Sequence, residues 1–327
     1  MRKSLILLLL VIASCGLMAQ TMMGFNQTHT ANQLTDNKCK VIPAAVNRII
    51  KEIDAEKRAS IRFPGGTVAN EYNVNIYGHT LAEAKSSKWQ KNKINPIIPF
   101  IEASKMIGWS VIPVINVTDI YNGKVSFDEG MNLNLKMIDM FVRSGVKVSH
   151  VEIGNELNIW MNIKGNKDYN RNPKEYDVEI QKYYDLCLKA DKLIKAAFPG
   201  VKTGGVSARF GYNARDNKWC SLFDYGTWDA IIIHHYEDVG DKAVWEKNIA
   251  EMVAQAKACK KELWITELNV RLGPSVGSLA YKRNASQSWI TDYQTEIWDI
   301  CKRLKVDLIC YHRITGTDDH SYNYLKF

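Results

Sequence analysis

Residues 5–13 form the only long apolar run near either end of the chain, and no later segment approaches the roughly 20 apolar residues a membrane-crossing helix needs. No CxxC spacing links the 7 cysteines, which argues against a zinc cage. No basic stripe interleaves with aromatics. The net charge of +8 is spread along the chain, so nucleic acid is a poor candidate partner. Low-complexity tracts, internal repeats and linkers are missing too, which leaves one globular domain as the reading of 327 residues.

What is present begins with a leader. Arg2 and Lys3 precede the short apolar core, and cleavage after Ala19 makes residues 1–19 a signal peptide and 20–327 the mature domain. A second reading takes Ile12-Ala13-Ser14-Cys15 as a lipoprotein box with Cys15 lipidated. The short interval to a first strand near Met22 favours export without an anchor. Of the later cysteines, Cys187, Cys259 and Cys301 fall in expected helices and Cys310 in an expected strand. They are expected to be buried thiols rather than disulfide partners.

Eight apolar runs recur along the chain, at residues 23–26, 60–63, 110–117, 150–154, 202–206, 230–234, 263–266 and 306–311. Several are continuous in Ile and Val rather than alternating, as in strands covered on both faces. Helical spacing fills most intervals: residues 42–55, 97–107, 133–142, 175–197, 244–258 and 286–304. The interval between the fifth and sixth runs carries little helical signal. Alternation on this scale implies a parallel sheet, and eight strands favour an α/β fold of the (β/α)8 TIM-barrel type. Helical signal is thin after the eighth run, so the barrel is expected to lack a full eighth helix.

In such barrels chemistry sits where strands end. The fourth run ends in Gly154-Asn155-Glu156-Leu157-Asn158 and the seventh in Thr266-Glu267-Leu268-Asn269. Each places a carboxylate at the barrel mouth. Two carboxylates facing one another are what glycoside hydrolysis needs, one to protonate the leaving oxygen and one to attack the anomeric carbon or activate water.

Asn155-Glu156 after strand four, with Glu267 after strand seven, resembles clan A of the glycoside hydrolases, whose (β/α)8 barrels cleave with retention. The likeness covers roughly residues 24–313. It implies Glu156 as general acid/base, Glu267 as nucleophile and Asn155 on the sugar 2-hydroxyl. Arg62-Phe63-Pro64-Gly65-Gly66-Thr67 is similar to a stretch of the arabinofuranosidase-like and glucuronidase-like members. There Arg62 is expected to hold a carboxylate ionised, and Gly66 to let the backbone approach a sugar. His234-His235-Tyr236 matches a pair at the end of strand six. One histidine of two points inward. His235 and Tyr236 are expected at the mouth, with His234 in packing. Asn116 and Asn26, closing strands three and one, are candidate hydroxyl partners. Trp160, Tyr72 and Tyr77 are candidates to stack on sugar rings. The sequence departs from the clan at strand eight, where Tyr311-His312-Arg313 stands in place of a tryptophan. It also departs in having no segment for the β-sandwich of those relatives.

The expected activity is therefore an exported retaining glycosidase acting on a poly- or oligosaccharide, without metal or organic cofactor. The alternative is a carbohydrate-binding protein on a degenerate barrel. Isomerase or aldolase chemistry lacks its marks, a Schiff-base lysine or a phosphate-binding glycine loop.

Overall fold

Eight strands form where the apolar runs mark them. They are β1 (Met22–Asn26), β2 (Ser60–Phe63), β3 (Ser110–Ile115), β4 (His150–Ile153), β5 (Lys202–Val206), β6 (Ala230–Glu237), β7 (Glu262–Val270) and β8 (Leu308–Tyr311). The structure is a computed structural model and describes residues 21–26, 34, 40–53, 55–57, 59–74, 96–156, 173–206, 214–237, 242–270 and 287–312. All neighbours pair in parallel, and β8 closes on β1 to make a barrel in sequence order. The leader, Trp160, Tyr77 and the chain beyond His312 lie outside the described residues, and with them the expectation about an eighth helix. No described helix is long and apolar enough to cross a membrane.

The helices are α1 (Pro43–Glu52), α2 (Ile97–Ile107), α3 (Thr118–Tyr121), α4 (Phe127–Arg143), α5 (Pro173–Ala197), α6 (Ala214–Phe223), α7 (Lys242–Ala258) and α8 (Gln287–Leu304). Helix α4 starts six residues before its apolar periodicity. The Ser126 side chain accepts from the Glu129 amide, and Asp128 and Glu129 suit the positive end of the helix dipole. Helix α6 is absent from the periodicity because its apolar residues crowd into its last turns. Trp219 stacks on Phe223 at 4.3 Å and on Tyr183 of α5 at 5.7 Å, so aromatic packing rather than an amphipathic stripe holds it.

Two apolar layers result. Ile112, Val206, Ala230, Ile232, Trp264, Leu308 and Cys310 fill the barrel itself. A larger layer between strands and helices takes alternate strand residues, among them Ile231, Ile233, Leu263, Ile265 and Leu268. Gly204 is required by the inner layer. A Cβ there would stand 2.5 Å from Ile232 and 2.7 Å from the Trp264 ring. No disulfide joins the described cysteines; Cys187, Cys301 and Cys310 are buried thiols.

Candidate active site

Toward the C-terminal ends of the strands the inner layer becomes polar. Arg62, on β2, is fully buried, and so is Glu152, on β4. The guanidinium has five N–H donors, and all five are used. Nε and Nη2 grip Glu152 at 2.6 and 2.7 Å. Nη2 also reaches Asn155 Oδ1 at 2.7 Å. Nη1 donates to Asn26 Oδ1 at 2.8 Å and to Glu267 Oε1 at 2.7 Å. Burial alone would weaken the charge on Arg62. Glu152 and Glu267 outweigh it and raise the guanidinium pKa above its ordinary value. The same balance, burial against Arg62 and His234, holds the Glu152 carboxyl below the usual carboxylate range.

A bulge puts Glu267 on the inner face. Between β6 and β7, Ile233 pairs with Ile265, and the next pair is His234 with Glu267. Thr266 is therefore an extra residue. Without it, strict alternation would send Glu267 toward the helices with Leu263 and Ile265. The Thr266 carbonyl accepts from Asn26 Nδ2 at 2.6 Å, so Asn26 pins both the bulge and Arg62. Glu267 Oε1 also accepts from the Gly66 amide at 3.1 Å, and Gly66 takes the left-handed φ of 64° that this turn asks of a glycine.

Glu156 is presented differently. Gly154, at φ 80°, turns the chain out of β4. Glu156 itself sits at φ 48°, a conformation that costs a non-glycine residue about 1–3 kcal/mol. Its side chain remains 24% exposed, against 4% for Glu267. The inner face of β6 supplies His234. Its Nδ1 lies 3.0 Å from Glu156 Oε1 and 3.6 Å from Glu267 Oε2. Its Nε2 lies 3.6 Å from Glu152 Oε1, an ion-pair contact longer than a hydrogen bond. One oxygen each of Glu156 and Glu267 and one nitrogen of His234 fall within 4.8 Å of one another. Such a trio has the donor types of a metal site. Burial lowers the His234 pKa, but Glu267, Glu152 and Glu156 outweigh burial and raise it to about 10, so a metal there would have to displace the imidazole proton. Beside this group Asn155, fully buried, keeps an Nδ2 with no hydrogen-bond partner among the described residues.

No family model matches the chain, and no curated protein does. Solved structures do. An α-L-arabinofuranosidase from Thermotoga maritima, in complex with arabinose, superposes over 90% of this chain and 64% of its own, with a TM-score of 0.58 at 16% identity. The likeness is one of fold, a (β/α)8 barrel in both chains. A Bacteroides uniformis β-glucuronidase matches 90% of this chain and 30% of its own (TM-score 0.54, 13% identity). An endo-β-1,4-mannanase from Thermotoga petrophila matches 94% and 72% (TM-score 0.50, 14% identity). The chain thus spans just under two thirds of the length of the arabinofuranosidase.

At the mouth of this barrel most of the residues singled out in the sequence come together: Arg62, Gly66, Asn155, Glu156 and Glu267. Two do not. His235 faces the helix layer, its ring 5.2 Å from Trp245 of α7, and His234 is the histidine at the mouth. The expectation is reversed because Ala230 and Ile232 fill the barrel, which fixes even-numbered residues of β6 as inward. Asn116 is spent on its own chain. Its Nδ2 donates to Asp119 and to the Tyr72 carbonyl, and its Oδ1 accepts from the Asp119 amide, pinning the start of α3. Tyr72 is likewise a core residue, edge-on to Phe63 at 5.4 Å. The side chain of Tyr236 lies outside the described residues. The sequence reading missed Glu152, although a glutamate inside an apolar run was a signal. It also missed His312, whose Nδ1 stands 3.9 Å from Glu267 Oε2 where strand eight ends.

Two histidines set a pH dependence of stability. Burial holds the His150 pKa down at about 4, below its unfolded value near 6.5, so stability rises with pH from about 4 to about 6.5. His234, raised to about 10, contributes stability that is fully present below about 6.5 and lost as pH rises toward 10. Urea midpoints measured from pH 4 to 10 are expected to peak near 6.5, and His234→Gln is expected to flatten the alkaline side. A midpoint still climbing at pH 8 contradicts this.

Proposed function

We propose that the protein is a retaining glycoside hydrolase acting on a poly- or oligosaccharide, with Glu267 as nucleophile and Glu156 as acid/base. The observation that carries the reading is the carboxylate pair. One oxygen from each lies within 4.8 Å, near the roughly 5–5.5 Å of retaining enzymes and short of the roughly 6.5–9.5 Å that leaves room for water in inverting ones. Glu267, buried and held by Arg62 and the Gly66 amide, suits an ionised, positioned nucleophile. Glu156, at the solvent edge, suits exchange of a proton with a leaving group and then with water. The unpartnered Asn155 amide offers a donor to a sugar hydroxyl. The glycosidase neighbours agree in fold. Export through residues 1–19 belongs to the same proposal and places the substrate outside the cytoplasm.

The test is a panel of aryl glycosides and plant, algal and host glycans, with the first-formed anomer read by proton NMR. Retention is expected. Glu156→Gln is expected to lower turnover of substrates with poor leaving groups by about 10²–10⁴-fold. An inverted first product overturns the mechanism. Oligosaccharide binding without any hydrolysis supports a carbohydrate-binding protein instead.

A further inference from the structure

Resting on that reading, we infer that His234 is a positioning residue whose Nδ1–H is shared between the two reacting carboxylates and follows the negative charge from one to the other. In the first step Glu267 bonds to the anomeric carbon, the bond to the leaving oxygen breaks, and the Glu156 proton passes to that oxygen. Negative charge has then left Glu267 and appeared on Glu156. In the second step a water oxygen bonds to the anomeric carbon, the ester bond to Glu267 breaks, and a water proton passes to Glu156. The charge returns.

A cation serving both states must touch both carboxylates, and among the described residues His234 does so, while His312 reaches Glu267 alone. Each of the five Arg62 donors is already bound, and none of those bonds goes to Glu156. Glu267 Oε1 is held by Arg62 and Gly66, and Oε2 faces His234 at 3.6 Å and His312 at 3.9 Å. Nδ1 stands 3.0 Å from Glu156 and 3.6 Å from Glu267, so a small tilt of the ring changes its partner. Nε2 faces Glu152 at 3.6 Å, and the Arg62 fork holds that carboxylate in place. The three surrounding carboxylates keep the imidazole protonated at neutral pH.

A residue of this kind matters most when Glu156 must give up its proton. In His234→Gln, kcat/KM for phenyl glycosides is expected to fall about 100-fold, and for 2,4-dinitrophenyl glycosides, whose leaving group needs no proton, less than about 5-fold. Equal losses on both substrates, as general misfolding of the site would give, overturn the inference. Glu267→Ala separates this from the parent reading. If that variant keeps turnover, the nucleophile is misassigned; if it is dead while His234→Gln loses equally on both substrates, only the role of His234 fails. Should the glutamine variant not fold, imidazole ¹⁵N NMR at pH 7 decides. The His234 Nδ1 signal is expected to shift in Glu156→Gln and in Glu267→Gln, and a signal unchanged in both overturns the inference.

Discussion

Glu267→Ala is expected to lower glycoside turnover by on the order of 10⁴–10⁶-fold, about 5–8 kcal/mol of transition-state stabilisation. The loss is that large because no other group can take over the attack. Glu152 is fully buried in the grip of Arg62, and Glu156 stands at the solvent edge against His234. The fold is expected to survive, since Arg62 keeps its paired grip on Glu152 and its bonds to Asn26 and Asn155. Sodium azide then reports which carboxylate is missing. Filling the space vacated by Glu267, azide attacks from the nucleophile's face and yields a glycosyl azide of inverted configuration. Azide with Glu156→Ala, where Glu267 still forms the ester, yields a retained product. Equal configurations from the two variants contradict the assignment.

Arg62→Met is expected to cost about 3–5 kcal/mol of stability, because it strands Glu152 in the barrel without its partner and removes the main cation beside Glu267. The urea midpoint measures this directly. The double variant Arg62→Met, Glu152→Leu is expected to recover most of the loss, since an apolar pair of similar volume tolerates a dry interior. Activity is not expected to return with stability. The double variant would leave Glu267 Oε1 to the Gly66 amide and lose the donor to the Asn155 carbonyl, both of which Arg62 fixes at 2.7 Å. Recovered activity with recovered stability would make Arg62 a folding residue only.

Together these variants separate two functions of one buried network. Asn26, Arg62 and Glu152 form a rigid base, and Asn155, Glu156, His234 and Glu267 stand on it. Every donor in the base is satisfied from within the chain. The Asn155 amide above it is not, which is the pattern of a preorganised site awaiting a polar ligand.

Much of this was legible in the amino-acid order. Strand positions were, because strands covered on both faces must be continuously apolar, and the eight runs coincide with the eight strands to within a few residues. The places of Glu156 and Glu267 at strand ends were, because each follows an apolar run. Facing was not. Which of His234 and His235 enters the barrel depends on whether Ile232 or Ile233 does, and two equally apolar neighbours carry no sign of that. The bulge at Thr266 was not legible either, since an extra residue shows only when β7 is laid beside β6. Local pattern determined where the strands begin and end and which carboxylates close them. Only closure of the barrel decided which side chains meet, because burying Arg62 calls for acceptors for five donors, and those come from three other strands and the turn after one of them.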